Sequence, residues 1–323
     1  MIMDEIQRHH SSNVEIPTYW VTAPVRDLSE RRARWANENE HGRTKPQISD
    51  WSPQNEQEIG RVYRVDEDGN ITHQRDIDRA QGVIRAQSSL LVAEHARIVT
   101  LSEELDTENE VITHPWFNDV HSFRLGGSNL LLASTGVDAI LEVSPQTAEI
   151  EWSWFATENG FTENSYGDNI HTDKEADHRQ KIYDTHHNTT HLNSALQIEP
   201  SVVIATLFHQ GEMIRIDKDS GTFDTLLTGL SEPHGLRSTE DGSISLANTV
   251  DGEVLRGNIS GKEFNPIMSF KVPTDRLQDC LETEYGWMLV DRQYSRILHT
   301  DSNGNILATD QFDTESLLYE VAI

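Results

Sequence analysis

The sequence is poor in cysteine and in long apolar runs, and each shortage excludes a class of protein. Its 323 residues include one cysteine, Cys280, so an internal disulfide framework is impossible. No stretch approaches the roughly 18 apolar residues of a membrane-spanning helix. The opening residues, MIMDEIQRHHSSNVEI, lack the apolar core of a secretory signal. We therefore expect a cytoplasmic protein that does not enter membranes, with a virion component as the alternative, since it too would need no signal.

Positive charge is also scarce. The chain has 26 basic residues, only six of them lysines, against 54 acidic ones, and its formal net charge is −28. A dense carboxylate surface stays hydrated when salt has shortened the screening length, as in proteins of salt-accumulating haloarchaea or their viruses. The shortage of Lys and Arg clusters argues against binding to nucleic acid or to anionic lipid. A small molecule or a glycan is the expected kind of ligand.

What the sequence does contain is a repeated pattern of short β-type runs separated by turns. A run of the form apolar-x-x-apolar, followed by a polar turn, begins at Val62, Ile98, Ile140, Met213, Val254 and Ile297. A second apolar run precedes each of these and begins at Tyr19, Leu90, Leu130, Val202, Ile244 and Trp287. A period of roughly 40–45 residues with several strands per unit is typical of a β-propeller. The six copies predict an all-β protein with six blades.

The two ends of the chain complement each other. The last run, SLLYEVAI (316–323), matches only the first strand of a unit, whereas the N-terminal part supplies only later strands. We predict a single propeller domain over 1–323, closed by pairing of its N- and C-terminal strands, which removes an open sheet edge. Two polar segments interrupt the repeats. We expect an exposed insertion at 26–58, with a helical stretch at Arg26–Glu40, and a long loop insertion at 155–185.

A third set of runs supplies the innermost strand of each blade. In a propeller these strands line the central channel and begin at one face, so their first residues share a funnel-shaped mouth. These residues are Gln81, His121, His191, His234, Gln278 and Tyr319. The loops between the second and third strands return to the same face and add a second ring, which includes Glu94, His209, Asn248, Asp291 and Arg292. Three histidines are therefore expected to converge.

Three imidazoles at one mouth allow several kinds of chemistry. His121, His191 and His234 could together bind one divalent transition metal and leave a coordination position open. Alternatively, one imidazole acts as a nucleophile or general base, while the others and an arginine stabilise negative charge. A third interpretation is a non-catalytic channel that binds a ligand or glycan through the same polar side chains.

The region around His191 resembles the arylsulfate sulfotransferase family. The segment WSWFATENG…YDTHHNTTHLNSALQIEPSVVIATLFHQGEMIRIDKDSG has a strand ending in a Trp-rich turn, then a long insertion. A THxN motif follows at Thr190–Asn193, and then a strand and the turn IDKDSG. Members of this family are six-bladed propellers that transfer sulfate between phenols through a sulfohistidine at the channel mouth. The resemblance implies the same fold and a transferase activity for this chain.

The resemblance also implies roles for individual residues. His234 would be the nucleophile, and His121, His191 and Asn193 would bind the sulfate. His209 stands where the family has its arginine, so a sulfate clamp would need one of three other arginines, namely Arg215, Arg237 or Arg292. We expect the other mouth residues to bind substrate, and these are Gln81, His209, Gln278, Arg292 and Tyr319.

A second resemblance lies in EPHGLRSTEDGSISLAN (232–248), which is similar to the repeat of streptogramin-lyase and NHL-like propellers. Some of those propellers are metal-dependent. Gluconolactonase-type propellers bind their metal through Glu, Asn and Asp, and the second ring offers Glu94, Asn248 and Asp291. This resemblance implies a metal-dependent lyase or lactonase as the alternative to sulfate transfer.

Overall fold

The computed structural model describes residues 6–10, 15–25, 49–50 and 59–323. These residues form 27 strands and two short 3-10 helices, Thr135–Val137 and Ala156–Asn159. The helical stretch expected at Arg26–Glu40 lies outside the described residues, as does most of the insertion expected at 26–58. None of the helices in the described ranges is long and apolar enough to cross a lipid bilayer.

The strands are numbered in chain order. The N-terminal part supplies β1 (Gln7–His10), β2 (Tyr19–Ala23), β3 (Ser49–Asp50), β4 (Ile59–Val65) and β5 (Ile71–Asp78). Next come β6 (Val83–Ala86), β7 (Ser89–Ala93), β8 (Ile98–Ser102), β9 (Glu108–Ile112), β10 (Val120–Gly126), β11 (Asn129–Ser134), β12 (Ala139–Val143) and β13 (Ile150–Phe155). They are followed by β14 (Lys181–Ile182), β15 (Leu192–Glu199), β16 (Val202–Leu207), β17 (Glu212–Asp217), β18 (Phe223–Leu227), β19 (Pro233–Ser238), β20 (Ile244–Asn248), β21 (Glu253–Ser260) and β22 (Glu263–Lys271). The last are β23 (Leu277–Thr283), β24 (Gly286–Asp291), β25 (Arg296–Thr300), β26 (Ile306–Gln311) and β27 (Val321–Ala322).

All of these strands except β3 and β14, which pair with each other, form the six blades of a propeller. In each blade the strands are ordered from the channel outward. Blade 1 is β27-β2-β4-β5, blade 2 is β6 to β9, blade 3 is β10 to β13, blade 4 is β15 to β18, blade 5 is β19 to β22, and blade 6 is β23 to β26 with β1 added at its outer edge. The prediction of an all-β, six-bladed propeller is confirmed.

Both ends of the chain take part in closing the ring. The C-terminal strand β27 pairs with β2 as the innermost strand of blade 1. The N-terminal strand β1 pairs with β26 at the outer edge of blade 6. Arg8 of β1 and Tyr19 of β2 both donate hydrogen bonds to Asp310 of β26, at 2.5–2.7 Å. The N-terminal segment therefore ties blade 6 to blade 1, and the predicted closure by pairing of terminal strands is confirmed.

The hydrophobic core lies between the blades rather than on one axis. Every residue of the second strands β2, β16, β20 and β24 is buried, because both faces of each of these strands pack against neighbouring blades. The outermost strand β22 is largely exposed. Large side chains such as Trp287, Tyr19 and Phe123 are fully buried at these interfaces. The core holds the blades rigidly around the channel, which positions the inner strands.

β-Bulges recur at the start of the innermost strands. The pairing register skips His121 in β10, Asn193 in β15 and Gln278 in β23. In β19 it skips the two residues after His234. A bulge leaves a residue unpaired and redirects its side chain. In three blades the bulged residue is therefore a polar residue of the channel mouth, whereas in blade 5 the bulge comes directly after His234.

Candidate functional site

The structure brings the predicted mouth residues together at one end of the channel. Each of the innermost ones is 7% exposed or less, and these are Gln81, His121, His191, Asn193, His234, Gln278 and Tyr319. His209 and Arg292, from the loops that return to the mouth, are partly exposed. The residues proposed for catalysis and substrate binding thus share one surface.

The histidines form a curved row rather than a compact triad. The rings of His121 and His191 meet edge-to-face with centroids 5.0 Å apart, and the ring of Tyr319 lies 5.6 Å from that of His121. Phe208 lies between His191 and His234, and the centroid of its ring is 5.1 Å from that of His191 and 5.6 Å from that of His234. The row encloses one side of the mouth, and Phe208 gives it an apolar contact surface that the sequence did not single out.

Arg292 and Gln278 form the other side of the mouth. The Nη1 atom of Arg292 donates to Oε1 of Gln278 at 3.0 Å, and the guanidinium carbon lies 5.8 Å from the centroid of the Tyr319 ring. The site therefore combines imidazoles, a phenol and a cation around one opening.

Strand register corrects one expectation about the repeats. His121, His234 and Gln278 each follow the first paired residue of their inner strand, and in blade 4 that position belongs to Asn193. His191 lies two residues earlier, so the expected equivalence of all three histidines is wrong for His191. Its ring still reaches His121, and its backbone is left-handed, with φ of 48°.

A left-handed turn fixes the other two histidines. Asp119 and Glu232, each two residues before a histidine, have φ values of 49° and 56°. Their carbonyl oxygens accept hydrogen bonds from Nδ1 of His121 at 2.9 Å and of His234 at 2.8 Å. Left-handed backbone costs a non-glycine residue of order 1 kcal/mol and concentrates at functional sites. Because a carbonyl can only accept, both imidazoles carry their proton on Nδ1.

His191 has the same tautomer for a different reason. Its Nδ1 lies 3.1 Å from Oδ1 of Asn188, whose Nδ2 donates to the carbonyls of Thr135 and Gly136. That pair of bonds fixes the amide, so Nδ1 of His191 must be the donor. Within the described part of the chain, no hydrogen bond uses Nε2 of any of the three histidines. Three imidazole lone pairs are thereby kept available at the mouth.

Burial keeps these imidazoles neutral. It lowers the pKa of His234 well below the usual value, and the charge of Arg292 lowers this pKa further. Burial also lowers the pKa of His191 well below its usual value, helped by His121 and His209. The pKa of His121 is lowered by burial against the opposing charge of Asp119. Neutral imidazoles can act as bases or nucleophiles near pH 7.

Asp119 is an ionised carboxylate beside the histidine row. Burial alone would raise its pKa, but Arg79, at 3.3 Å, and the neighbouring imidazoles hold this pKa below the usual range. Gln81 donates to the same carboxylate at 3.2 Å. The predicted mouth residue Gln81 therefore supports Asp119 and sits at the edge of the site.

We expect the pH dependence of stability to report the neutral state of His234. The unfolded chain gains a proton as pH falls below about 6.5, whereas the folded protein does not until its lowered pKa is reached. The contribution of neutral His234 to the free energy of unfolding is therefore present above pH 6.5 and is lost as pH falls below that value. His234→Gln should therefore weaken the decline in unfolding free energy by up to ~1.4 kcal/mol per pH unit.

Urea unfolding between pH 7.5 and 5.5 would measure this difference. Imidazole ¹⁵N NMR of the folded protein should show an Nδ1-protonated His234 that does not titrate in this range, whereas the urea-unfolded chain should titrate near 6.5. An imidazolium signal in the folded protein at pH 6 would contradict the neutral assignment.

Asp138 is a site residue that the sequence analysis missed. Its carboxylate is 2% exposed and accepts hydrogen bonds from the backbone N–H groups of Thr189, Thr190 and Leu192 and from both threonine hydroxyls. It therefore orients the Thr190–Asn193 motif from the neighbouring blade. Its sequence signal is weak, since it is one aspartate among many in a short turn before β12.

The segment 155–185 lies against the tops of blades 2 to 4 beside the mouth. The carbonyl of Lys181 accepts hydrogen bonds from Nδ2 of Asn118 at 2.7 Å and from Nε2 of His95 at 2.9 Å. The carbonyl of Thr185 accepts from Nε2 of His209 at 2.9 Å. His209 is thus engaged with this segment through Nε2, and its ring lies 5.8 Å from that of His191.

The residues present do not fit the metal sites considered from the sequence. Among the residues that the structure describes, no group of three or more His, Cys, Asp or Glu side chains could hold a metal ion. Phe208 lies between the rings of His234 and His191. Of the gluconolactonase-type set, Glu94 is bonded to Arg97, Asn248 to Asp251, and Asp291 to Thr274 and Arg296. Each of these three side chains is thus already bonded to other residues of the protein.

Below the mouth the channel is filled by a buried ion-pair cluster of Arg124, Arg237, Asp279 and Glu320. Arg237 donates to both carboxylate oxygens of Asp279 at 2.7 and 2.6 Å and to Glu320 at 3.2 Å. Arg124 lies 2.5 Å from Glu320. We call these four residues the plug. Two guanidinium groups thus face two carboxyl groups in this cluster.

Comparisons with known proteins identify the fold. No protein-family model matches the sequence, and no curated protein matches it significantly. A Bacteroides caccae protein of unknown function is 10% identical, with a TM-score of 0.61 over 95% of this chain and 98% of that one. A chain of a nidogen/laminin complex is 7% identical, with a TM-score of 0.58 over 94% and 97%. A streptogramin B lyase is 14% identical, with a TM-score of 0.47 over 71% and 82%. The first two likenesses show the propeller fold alone.

Proposed function

We propose that this chain is an enzyme that opens ester or lactone bonds at the channel mouth, with His234 as the general base. The observation that carries the proposal is the state of that histidine. Its Nδ1 is anchored by the Glu232 carbonyl, with the Thr249 hydroxyl also at 2.8 Å, which leaves Nε2 to accept a proton. Burial and Arg292 keep the ring neutral, as a base requires.

The surrounding groups support this chemistry. Opening an ester or lactone develops negative charge on the carbonyl oxygen, which a cation in a site of low polarity stabilises. Arg292 supplies that cation. Burial raises the pKa of Tyr319 well above the usual value, against the opposing effect of Arg292, so its phenol stays protonated and can donate a hydrogen bond. His121 and His191 offer acceptors for substrate hydroxyl groups.

Activity can be sought with a panel of simple lactones and esters, including gluconolactone, γ-butyrolactone and phenyl acetate. A pH-stat records acid release. We expect His234→Ala to lower kcat/KM at least ~100-fold, the typical contribution of a positioned general base. His73→Ala, a partly exposed histidine on β5, is the matched control and should retain activity. Unchanged turnover in His234→Ala would contradict the proposal.

Sulfate transfer through His234 is the second candidate, and the available Nε2 of a neutral imidazole favours it. The sulfate clamp is its weaker part. Arg237 lies in the plug, and Arg215 lies in the middle of β17 opposite Asp224, so of the three arginines considered only Arg292 reaches the mouth. Incubation with 4-nitrophenyl sulfate and a phenol, followed by mass spectrometry of the His234 peptide, would reveal a sulfohistidine. An unmodified peptide and no transferred sulfate would exclude it.

A further inference from the structure

A small cavity lies on the channel axis between the histidine row and the plug. It is lined by Ser122, Arg124, Asn193, Ser194, His234, Gly235, Gln278, Asp279, Tyr319 and Glu320. The space holds about one water molecule. Gly235 keeps the inner strands close at this level, because a Cβ there would come within 2.9 Å of the Asp279 Cα atom.

Four buried polar atoms of this lining have no hydrogen-bond partner within the described ranges. One is Nε of Arg124. The other three are Oγ of Ser122, Oδ1 of Asn193 and Nε2 of Gln278, and these three residues are 5%, 2% and 2% exposed. An unsatisfied buried polar atom costs about 1–3 kcal/mol, and such atoms in native proteins almost always find a partner. Three of them around one polar cavity indicate a bound hydrogen-bonding group.

The side-chain amides of Asn193 and Gln278 are each oriented by a hydrogen bond that the second polar atom of the amide makes. Nδ2 of Asn193 donates to the carbonyl of Pro233 at 3.3 Å, so Oδ1 remains as an acceptor. Oε1 of Gln278 accepts from Arg292 at 3.0 Å, so Nε2 remains as a donor. The Ser122 hydroxyl can donate or accept. The cavity therefore offers both the donor and the acceptors that one water molecule needs for its hydrogen bonds.

We propose that a water molecule held by Ser122, Asn193 and Gln278 is the nucleophile of the reaction, which makes the enzyme a hydrolase rather than an eliminating lyase. This inference rests on the proposed ester- or lactone-opening function. The cavity borders His234 and Tyr319, so the same water can be reached by the base and by a carbonyl group entering from the mouth.

The step balances without a further reactant. Nε2 of His234 takes a proton from the water as its oxygen bonds to the carbonyl carbon, and Arg292 stabilises the oxyanion. The carbon–oxygen bond to the leaving alkoxide then breaks. The proton on His234 passes to that alkoxide, giving a carboxylic acid and an alcohol and restoring the neutral imidazole. In an elimination the proton would come from substrate carbon, and no water would enter the product.

A substrate hydroxyl or amide could make the same hydrogen bonds, so the experiment must separate two sources. A crystal structure of the free protein at about 1.5 Å should show a water bonded to Asn193, Gln278 and Ser122. Reaction in H₂¹⁸O on a member of the lactone and ester panel that the protein turns over should place one ¹⁸O in the carboxylate product, read by mass spectrometry. A cavity without water in the free protein would assign it to the substrate and overturn the proposal.

Two variants test the role of this water. Asn193→Ala and Ser122→Ala should each lower kcat about 10-fold or more with KM little changed, whereas Asn265→Ala and Ser269→Ala, on the outer strand β22, should leave both unchanged. Turnover that requires His234 but incorporates no ¹⁸O would overturn the water nucleophile and leave the proposed function standing. Absence of any turnover that depends on His234 would overturn both.

Discussion

Replacing Arg237 by alanine is expected to lower the free energy of unfolding by about 3–5 kcal/mol, the range found when one partner of a buried ion pair is removed. Arg237 binds Asp279 through two hydrogen bonds, Glu320 through a third and the carbonyl of Val321 through a fourth. Burial alone would lower the pKa of Arg237, but these carboxylates raise it above the usual value, so the charge is firmly held. Its loss would leave two buried carboxylates with only Arg124 to neutralise them.

The position of this cluster explains why the loss should be global. Arg124 belongs to blade 3, Arg237 to blade 5 and Asp279 to blade 6, while Val321 belongs to the C-terminal strand that completes blade 1 and Glu320 directly precedes it. Asp279 also accepts a hydrogen bond from the Val321 N–H at 3.0 Å. The plug therefore binds the C-terminal strand β27 from the channel side. Removing part of the plug should destabilise the pairing of β27 that closes the propeller.

Urea unfolding of the wild type and three variants would measure this effect. Arg237→Lys keeps the charge but not the paired geometry and should fall between wild type and Arg237→Ala. Lys262→Ala removes an exposed ion pair with Asp224 and should change stability by less than about 1 kcal/mol. A loss below ~1 kcal/mol in Arg237→Ala would show that the plug does not hold the ring closed.

The strands could be predicted from the sequence because each one depends on the order of a few consecutive residues. The runs beginning at Tyr19, Val202, Ile244 and Trp287 all coincide with second strands, since short runs dominated by apolar residues and bounded by turns are buried from both sides in this fold. Closure followed from counting strands at the two ends. The starts of β10, β19 and β23, each one residue before the expected mouth residue, followed as well, because the repeat period fixes where a blade begins.

The details of the site depend on contacts that no local pattern encodes. In blade 4 the position equivalent to His121 belongs to Asn193, not to His191. The position of the β-bulge in each inner strand determines this equivalence. The plug pairs residues from four blades that are far apart in the sequence. Its arginines and carboxylates look like ordinary charged residues in a chain with 54 acidic side chains, and only the closed ring brings them to the axis.

Asp138→Ala should both destabilise the protein and disable the site, because one carboxylate orients the backbone that carries His191. Its Oδ2 accepts from the N–H of Thr189 at 2.5 Å and of Thr190 at 3.2 Å, and its Oδ1 accepts from the N–H of Leu192 at 3.3 Å. Alanine would leave three buried donors without an acceptor, at about 1–3 kcal/mol each. We expect a loss of at least ~3 kcal/mol in unfolding free energy.

Asp138 does not touch the mouth itself, so its effect on activity should arise through position. If the backbone of Thr189–Leu192 shifts, His191 loses its hydrogen bond to Asn188 and its contact with the His121 ring. We expect kcat/KM on the lactone and ester panel to fall at least ~10-fold, with a matching change in the Nδ1 signal of His191 in ¹⁵N NMR. Asp138→Asn keeps the size and one acceptor oxygen and should give an intermediate result.

The matched control is Asp241→Ala. Asp241 also accepts several hydrogen bonds, from Thr239, Ser243 and Arg256, but it does so in an exposed surface turn where water can replace it. Its removal should affect stability far less and leave the His191 signal unchanged. If Asp138→Ala unfolded at the wild-type urea concentration with a native His191 signal, the THxN motif would be held by its own turn, and the blade 3 carboxylate would be incidental to the site.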